Sequence, residues 1–268
     1  MGGPRRPAAS TILAALAASL LLLFLVAPIG ELVVQGSVPG VRRLGSDAEL
    51  RSALLLTGIT ATVATLIGVA TGTPLAYLLA RRRFRARAIL SALLDLPLLI
   101  PHPVAGIALL LVLGRDSAAG SALLLAGLRV VGSPLGIVCA MLFVSAPLYV
   151  SGAREAFARV DPRYEAVART LGDGTWRVFR RITFPLAGRG LLASAVVMWA
   201  RAVSEFGAIV ILTYHPRTVS VLAYDRFTTY GLGEAIPVAA VLVLIALVPL
   251  ALLRALRGDR SLHAEGME

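Results

Sequence analysis

Among its 268 residues the chain has no lysine, a single cysteine and three histidines. The missing lysine excludes a phosphate-binding loop of the form GxxxxGK[ST], whose lysine reaches the β- and γ-phosphates of a nucleotide. The lone Cys139 sits within an apolar run, so it supports neither a disulfide framework nor a thiolate metal site and reads as a buried bystander. Acidic residues number 15 against 26 basic ones, all of them arginine, for a net charge of +11. A basic balance can mean nucleic acid, but these arginines fall between apolar runs instead of lining one face. Membrane topology explains them better, and no nucleic-acid partner is expected.

What is abundant is apolar: 57% of the residues are hydrophobic and the mean hydropathy is +0.83. A soluble core of this size does not require that much. A spanning helix needs roughly 20 mostly apolar residues. Six segments qualify: about Thr11–Ile29, Ala53–Ala80, Ile89–Leu113, Pro134–Ala153, Leu191–Leu212 and Ala235–Leu256. The expected fold is therefore an all-α polytopic membrane protein with about six spans in a single domain over residues 1–268. The first segment follows Arg5 and Arg6 as a signal peptide would, but its apolar part is long and five spans follow, so it reads as an uncleaved first helix.

Arginine placement sets the orientation. With a cytoplasmic N-terminus, the inner side holds Arg5, Arg6, the cluster from Arg81 to Arg87, the loop from Arg154 to Arg189, and Arg254, Arg257 and Arg260. That is 18 arginines inside against seven outside, with Arg201 left within a span. The positive-inside rule then puts both termini in the cytoplasm of a multi-pass protein of the cell (inner) membrane.

The loop at residues 154–189 is accordingly cytoplasmic, and it is patterned. Tyr164, Val167, Ala168 and Leu171 are spaced i, i+3, i+4, i+7 as one stripe of an amphipathic helix. Asp161 and Pro162 supply an N-cap and a proline at the first helical position. Gly172 can take the left-handed conformation that ends a helix, and Gly174 allows a second turn. Thr175 is expected to cap a short second helix carrying Trp176 and Phe179, and Pro185 to close the segment. Such an elbow is either a connector lying on anionic lipid or a docking element for a cytoplasmic partner.

Glu165-Ala166, then Gly172, then nine residues, then Ile182-x-Phe184-Pro185 resembles the EAA loop of ABC-transporter permeases. The family pattern is EAA, a short spacer, G, nine residues, I, any residue, LP. Here Val167 replaces the second alanine and Phe184 the leucine. The resemblance implies a type I ABC-importer permease fold in which this loop is the coupling helix. Tyr164, Glu165, Ala166, Val167, Leu171, Gly172, Trp176, Ile182 and Pro185 would be its coupling residues, seated in a groove of a partner ATPase. It further implies a homodimer with two cytoplasmic ATPases that bind the ATP and magnesium, and no cofactor or catalytic residue in this chain.

A second resemblance concerns cargo. The stretch from Ser204 to Leu232, SEFGAIVILTYHPRTVSVLAYDRFTTYGL, is similar to the molybdate and tungstate branch of these permeases, especially its archaeal-type members. Sulfate permeases share the EFGA-like part, so a sulfate or other oxyanion permease is the alternative. By this resemblance an extracytoplasmic oxyanion-binding protein delivers the substrate. Ser204, Glu205, Phe206, Gly207 and Ala208, with Thr57, are expected near the gate, and Tyr224, Arg226 and Phe227 in the docking surface for that protein.

The remaining polar features have plainer readings. Glu205 follows Arg201 by four residues, so one helix face can hold them as an ion pair inside the membrane. His102 and His215 each stand beside a proline and read as kink or loop residues, not metal ligands. Pro97, Pro101 and Pro103 are expected to bend the third span. Gly68 and Gly72 fit close helix packing. A secondary transporter or channel working alone would call for an inverted repeat and intramembrane charges, and the sequence displays neither convincingly.

Overall fold

The computed structural model describes residues 9–82 and 84–258. Its elements are α1 (Ala9–Ser46), α2 (Ala48–Arg81), α3 (Arg87–Leu99), α4 (His102–Leu113), α5 (Ala118–Leu125), α6 (Pro134–Ala158), α7 (Pro162–Thr170), α8 (Thr175–Val178), a π-helical turn (Phe179–Thr183), α9 (Phe184–Val203), α10 (Gly207–Leu212), α11 (Val219–Tyr230) and α12 (Leu232–Gly258). There are no strands among the described residues. Five helical stretches are long and apolar enough to cross a membrane, and α3 with α4 makes a sixth if the bent pair counts as one span.

The expected third span is bent by 114° between α3 and α4. The cause is local. Ile100 is extended (φ −81°, ψ 144°) because a residue before proline is pushed out of the helical region, and Pro101 has no N–H to continue the ladder. The expected fifth span, Leu191–Leu212, is not continuous either: α9 ends at Val203 and α10 begins at Gly207. One local bond and one bond from α11 hold that break open. The Glu205 carboxylate accepts from Ala208 N at 2.9 Å, and the Ser220 hydroxyl donates to the Glu205 carbonyl at 2.7 Å. Non-helical backbone at such depth is tolerated only where other groups satisfy it.

Three helices form the centre of the bundle. Gly68 and Gly72 on α2 lie against Met198 of α9 and Tyr149 of α6, where any Cβ would collide. The glycine pair thus packs helices within this chain. A buried bond of 2.6 Å between Thr73 and the Tyr149 hydroxyl pins the same contact. One apolar cluster (Leu79, Tyr149, Phe157, Leu191) fills the half near the end of α2, another (Ile137, Met141, Ile209, Leu212) the opposite half. The two ends of α2 mark two faces of the bundle. Its last residue, Arg81, bonds to the α6–α7 corner, and its N-cap, Asp47, bonds to α11.

Candidate functional site: the elbow and the broken helices

The elbow is built by local rules. Asp161 Oδ1 accepts from Arg163 N at 2.9 Å and Pro162 occupies the first turn of α7. At the far end Gly172 has φ +91°, Gly172 N bonds to Arg169 O, and Asp173 N reaches back to Ala168 O at 3.1 Å. This is the double-bonded left-handed stop that glycine permits. Thr175 does not cap the second helix: it is the first residue of α8, Gly174 stands at the cap, and no side chain bonds there. Pro185 likewise does not close the segment, because it lies in the first turn of α9, which continues from the π-helical turn.

The expected apolar stripe splits into two faces. Glu165 and Ala168 turn inward, Glu165 with only 3% of its surface exposed. Tyr164, Val167 and Leu171 turn outward, joined by Trp176; Leu171 is 82% and Trp176 71% exposed. Ala166 and Pro185 are also exposed, and Ile182 is half-buried. Among the described residues nothing in the chain covers this apolar face.

Beneath it Glu165 is a hub. Its Oε1 accepts from Arg81 Nε at 2.8 Å and from the Thr183 hydroxyl at 2.9 Å; its Oε2 accepts from Arg169 Nη2 at 3.0 Å. Arg81 also donates to the Val160 carbonyl at 2.9 Å. Beside the hub, the Phe179 ring packs on Tyr77 at 5.0 Å, Trp176 at 5.6 Å and Phe184 at 5.9 Å, with Phe157 edge-on to Tyr77. The elbow is therefore held by α2, α6 and α9 together. The sequence does not reveal Arg81 as the partner of Glu165, because it lies 84 positions away and reads only as part of a basic cluster.

The two helix breaks face each other. Glu205, 1% exposed, takes Arg201 Nη2 at 2.6 Å, the ion pair that the spacing predicts. Arg201 Nη2 also meets His102 Nε2 at 2.7 Å, at the start of α4. Ser204 is exposed, Phe206 half-buried, Gly207 and Ala208 buried. A Cβ on Gly207 would stand 2.7 Å from that of His102, so this glycine permits a close approach of α4 and α10. Thr57 does not join this cluster. Its hydroxyl accepts from Val219 N at 3.0 Å, and the first turn of α11 stands between it and Glu205, whose carbonyl accepts from Ser220.

Of the expected docking residues, Tyr224 and Phe227 are exposed, with the Tyr224 ring 5.0 Å from that of Phe206. Arg226 is not on a free surface. It is 8% exposed, and its Nη2 lies 2.6 Å from Asp47 Oδ2 and 3.4 Å from Glu49 Oε2, binding α11 to the start of α2. No group of three or more potential metal ligands occurs among the described residues.

A family model described as the binding-protein-dependent transport system inner membrane component matches residues 72–258. The molybdate/tungstate transport system permease protein WtpB of Pyrococcus furiosus is 43% identical over 199 residues, 74% of this chain and 75% of the relative. A probable molybdenum ABC transporter permease protein of Haloferax volcanii is 40% identical over 241 residues, 90% of this chain and 88% of its own. The sulfate transport system permease protein CysW of Synechocystis is more distant, 31% identical over 236 residues, 87% and 85% of the two chains. A solved bacterial ABC transporter involved in the import of alginate shares the fold, with a TM-score of 0.69 at 17% identity over 93% of this chain and 94% of that one. On this family match and these relatives, the chain belongs to the inner membrane components of binding-protein-dependent ABC import systems.

Proposed function

We propose that the chain is the permease subunit of an importer for molybdate or tungstate, working as a homodimer with two cytoplasmic ATPases and an external oxyanion-binding protein. The observation that carries the coupling part is the exposed face of Tyr164, Val167, Leu171 and Trp176, mounted on the buried Glu165 hub. A soluble ATPase covering that face buries apolar surface that is otherwise left to water. Closure of the two ATPases on ATP would draw the two elbows together, and the hub would pass that movement to the spanning helices. The chain supplies the pathway, and hydrolysis takes place on the partner. The excess of arginine on the elbow side, 18 against seven, supports a cytoplasmic location for the elbow.

The cargo reading rests on the relatives named for molybdate and tungstate standing nearer in sequence than the one named for sulfate. Reconstitution of the permease with its ATPase and binding protein tests it. ATP-dependent uptake of tungstate or molybdate in preference to sulfate is expected. Preferential uptake of sulfate would overturn the cargo, and uptake without the ATPase would overturn the coupling.

A further inference from the structure

Two helices leave the hub, and they differ in reach. From the Thr183 side, α9 runs 20 residues and stops at Val203, where the chain breaks before α10. From the Arg81 side, α2 runs 34 residues without a break to Ala48. At 1.5 Å per residue that is about 50 Å, enough to carry a displacement across the whole bundle. Its far end is fastened, as is its near end. Asp47 caps it through Leu50 N at 2.9 Å and pairs with Arg226 of α11 at 2.6 Å, and the Thr57 hydroxyl accepts from Val219 N at 3.0 Å. Leu50 and Ala53 of α2 pack there with Val219, Leu222 and Val238.

At the near end the fastening is ionic and buried. The Arg81 side chain is 12% exposed and that of Glu165 4%. Arg81 holds two places at once, Glu165 of α7 through Nε and the Val160 carbonyl in the α6–α7 corner through Nη2. A buried pair of this kind resists separation, because either partner alone would be an uncompensated charge out of water. The carboxylate of the EAA-like segment thus faces inward to its own chain, beneath the apolar face that remains open.

We propose that α2 is the rod that links the elbow to the opposite face of the bundle, and that Arg81 is the positioning residue through which α7 moves it. The proposal rests on the coupling reading above. In it, α11 and the exposed Tyr224 and Phe227 at the far end of the rod respond to the elbow, and a binding protein seated there acts back on the ATPase. Reciprocity is required of the binding free energies whenever two sites are coupled.

The test uses the reconstituted complex of permease, ATPase and tungstate-loaded binding protein, with Arg81→Gln, Arg81→Lys and Thr183→Val compared with wild type. The readout is the stimulation of ATP hydrolysis by the loaded binding protein over the same complex without it. Arg81→Gln should keep the ATPase through co-purification while stimulation falls at least about fivefold, the lower end of common site-to-site coupling. Arg81→Lys, which keeps the charge, should recover part of it. Thr183→Val, which removes only the bond toward α9, should lose less than Arg81→Gln. In case Arg81→Gln fails to assemble, the second readout is thiol labelling of Ser52→Cys near the far end of α2, in a Cys139→Ser background. Its rate should change with ATP in the wild-type complex and change less in Arg81→Lys. Full stimulation in Arg81→Gln, or full loss in Thr183→Val with none in Arg81→Gln, would overturn the proposal. A wild-type complex that shows no stimulation at all would instead overturn the coupling reading itself.

Discussion

Arg201 of α9 and His102 of α4 meet across two helix breaks, with Nη2 2.7 Å from Nε2, and Glu205 completes the cluster at 2.6 Å from the same guanidinium nitrogen. A charge inside a span is costly unless paired, and here one carboxylate both neutralises Arg201 and holds the first turn of α10 through Ala208 N. Glu205→Ala should therefore destabilise the permease by about 3 kcal/mol, the cost of leaving a buried partner uncompensated. Glu205→Gln, which keeps an acceptor, should cost less. Thermal unfolding of the purified variants decides this, and an unchanged midpoint for Glu205→Ala would contradict it. Gly207→Leu should destabilise as well, because its side chain would enter the space of His102 and Pro103.

Gly172 at φ +91° has open space around its missing Cβ, so the strain of a substitution there is conformational, not steric crowding by neighbours. Gly172→Val should cost roughly 1–2 kcal/mol locally. The membrane part should stay assembled while tungstate uptake is abolished, because the turn that leads from α7 into α8 is lost. Normal uptake by this variant would show that the elbow tolerates another turn.

The Arg226–Asp47 pair predicts a response to both charge and acid. Arg226→Glu would set a third carboxylate beside Asp47 and Glu49, and should destabilise the permease by about 3 kcal/mol instead of merely altering a surface. Burial alone would raise the Asp47 carboxyl, but the bonds from Leu50 N and Arg226 outweigh it and hold the group below its ordinary 3.8. A carboxyl lowered in the folded state stabilises above its unfolded value and loses that contribution as pH falls through the folded one. The pair should thus be intact at neutral pH and weaken only below about pH 4. Melting curves across that range should shift less for Asp47→Asn than for the wild type, and equal shifts would remove Asp47 from the account.

Topology has its own check. In a Cys139→Ser background, a cysteine at Gly174 should be labelled from the cytoplasm only, and one at Ser46 only from outside. The reverse pattern would overturn the orientation drawn from the arginines.

Much of the elbow was legible in the sequence because its signals are local. The Asp161-Pro162 start, the Gly172 stop and the helical spacing of Tyr164, Val167 and Leu171 each depend on near neighbours. What stayed hidden depends on distant ones. Ala168 fits the outward stripe by period, yet it turns inward with Glu165, whose partners Arg81 and Thr183 come from α2 and the π-helical turn. The span break at Ser204–Phe206 has no proline to announce it, and besides the local bond from Ala208 N to the Glu205 carboxylate it is held by Ser220 of α11. Arg226 looked like a surface charge for the same reason: Asp47 and Glu49, which bury it, lie more than 170 positions away.

The central claim is that the exposed apolar face of the elbow seats the ATPase, and co-purification of the ATPase with Leu171→Asp tests it most directly. Leu171 is 82% exposed and bonds to its neighbours only through its backbone, so the substitution leaves the hub and the helix stop in place. Truncating a central anchor of an interface commonly costs 2 kcal/mol or more, about a 30-fold loss of affinity. The account predicts a Leu171→Asp permease that remains a monodisperse membrane protein, retains little ATPase and shows no hydrolysis stimulated by the loaded binding protein. Wild-type recovery of the ATPase together with wild-type stimulation would contradict it.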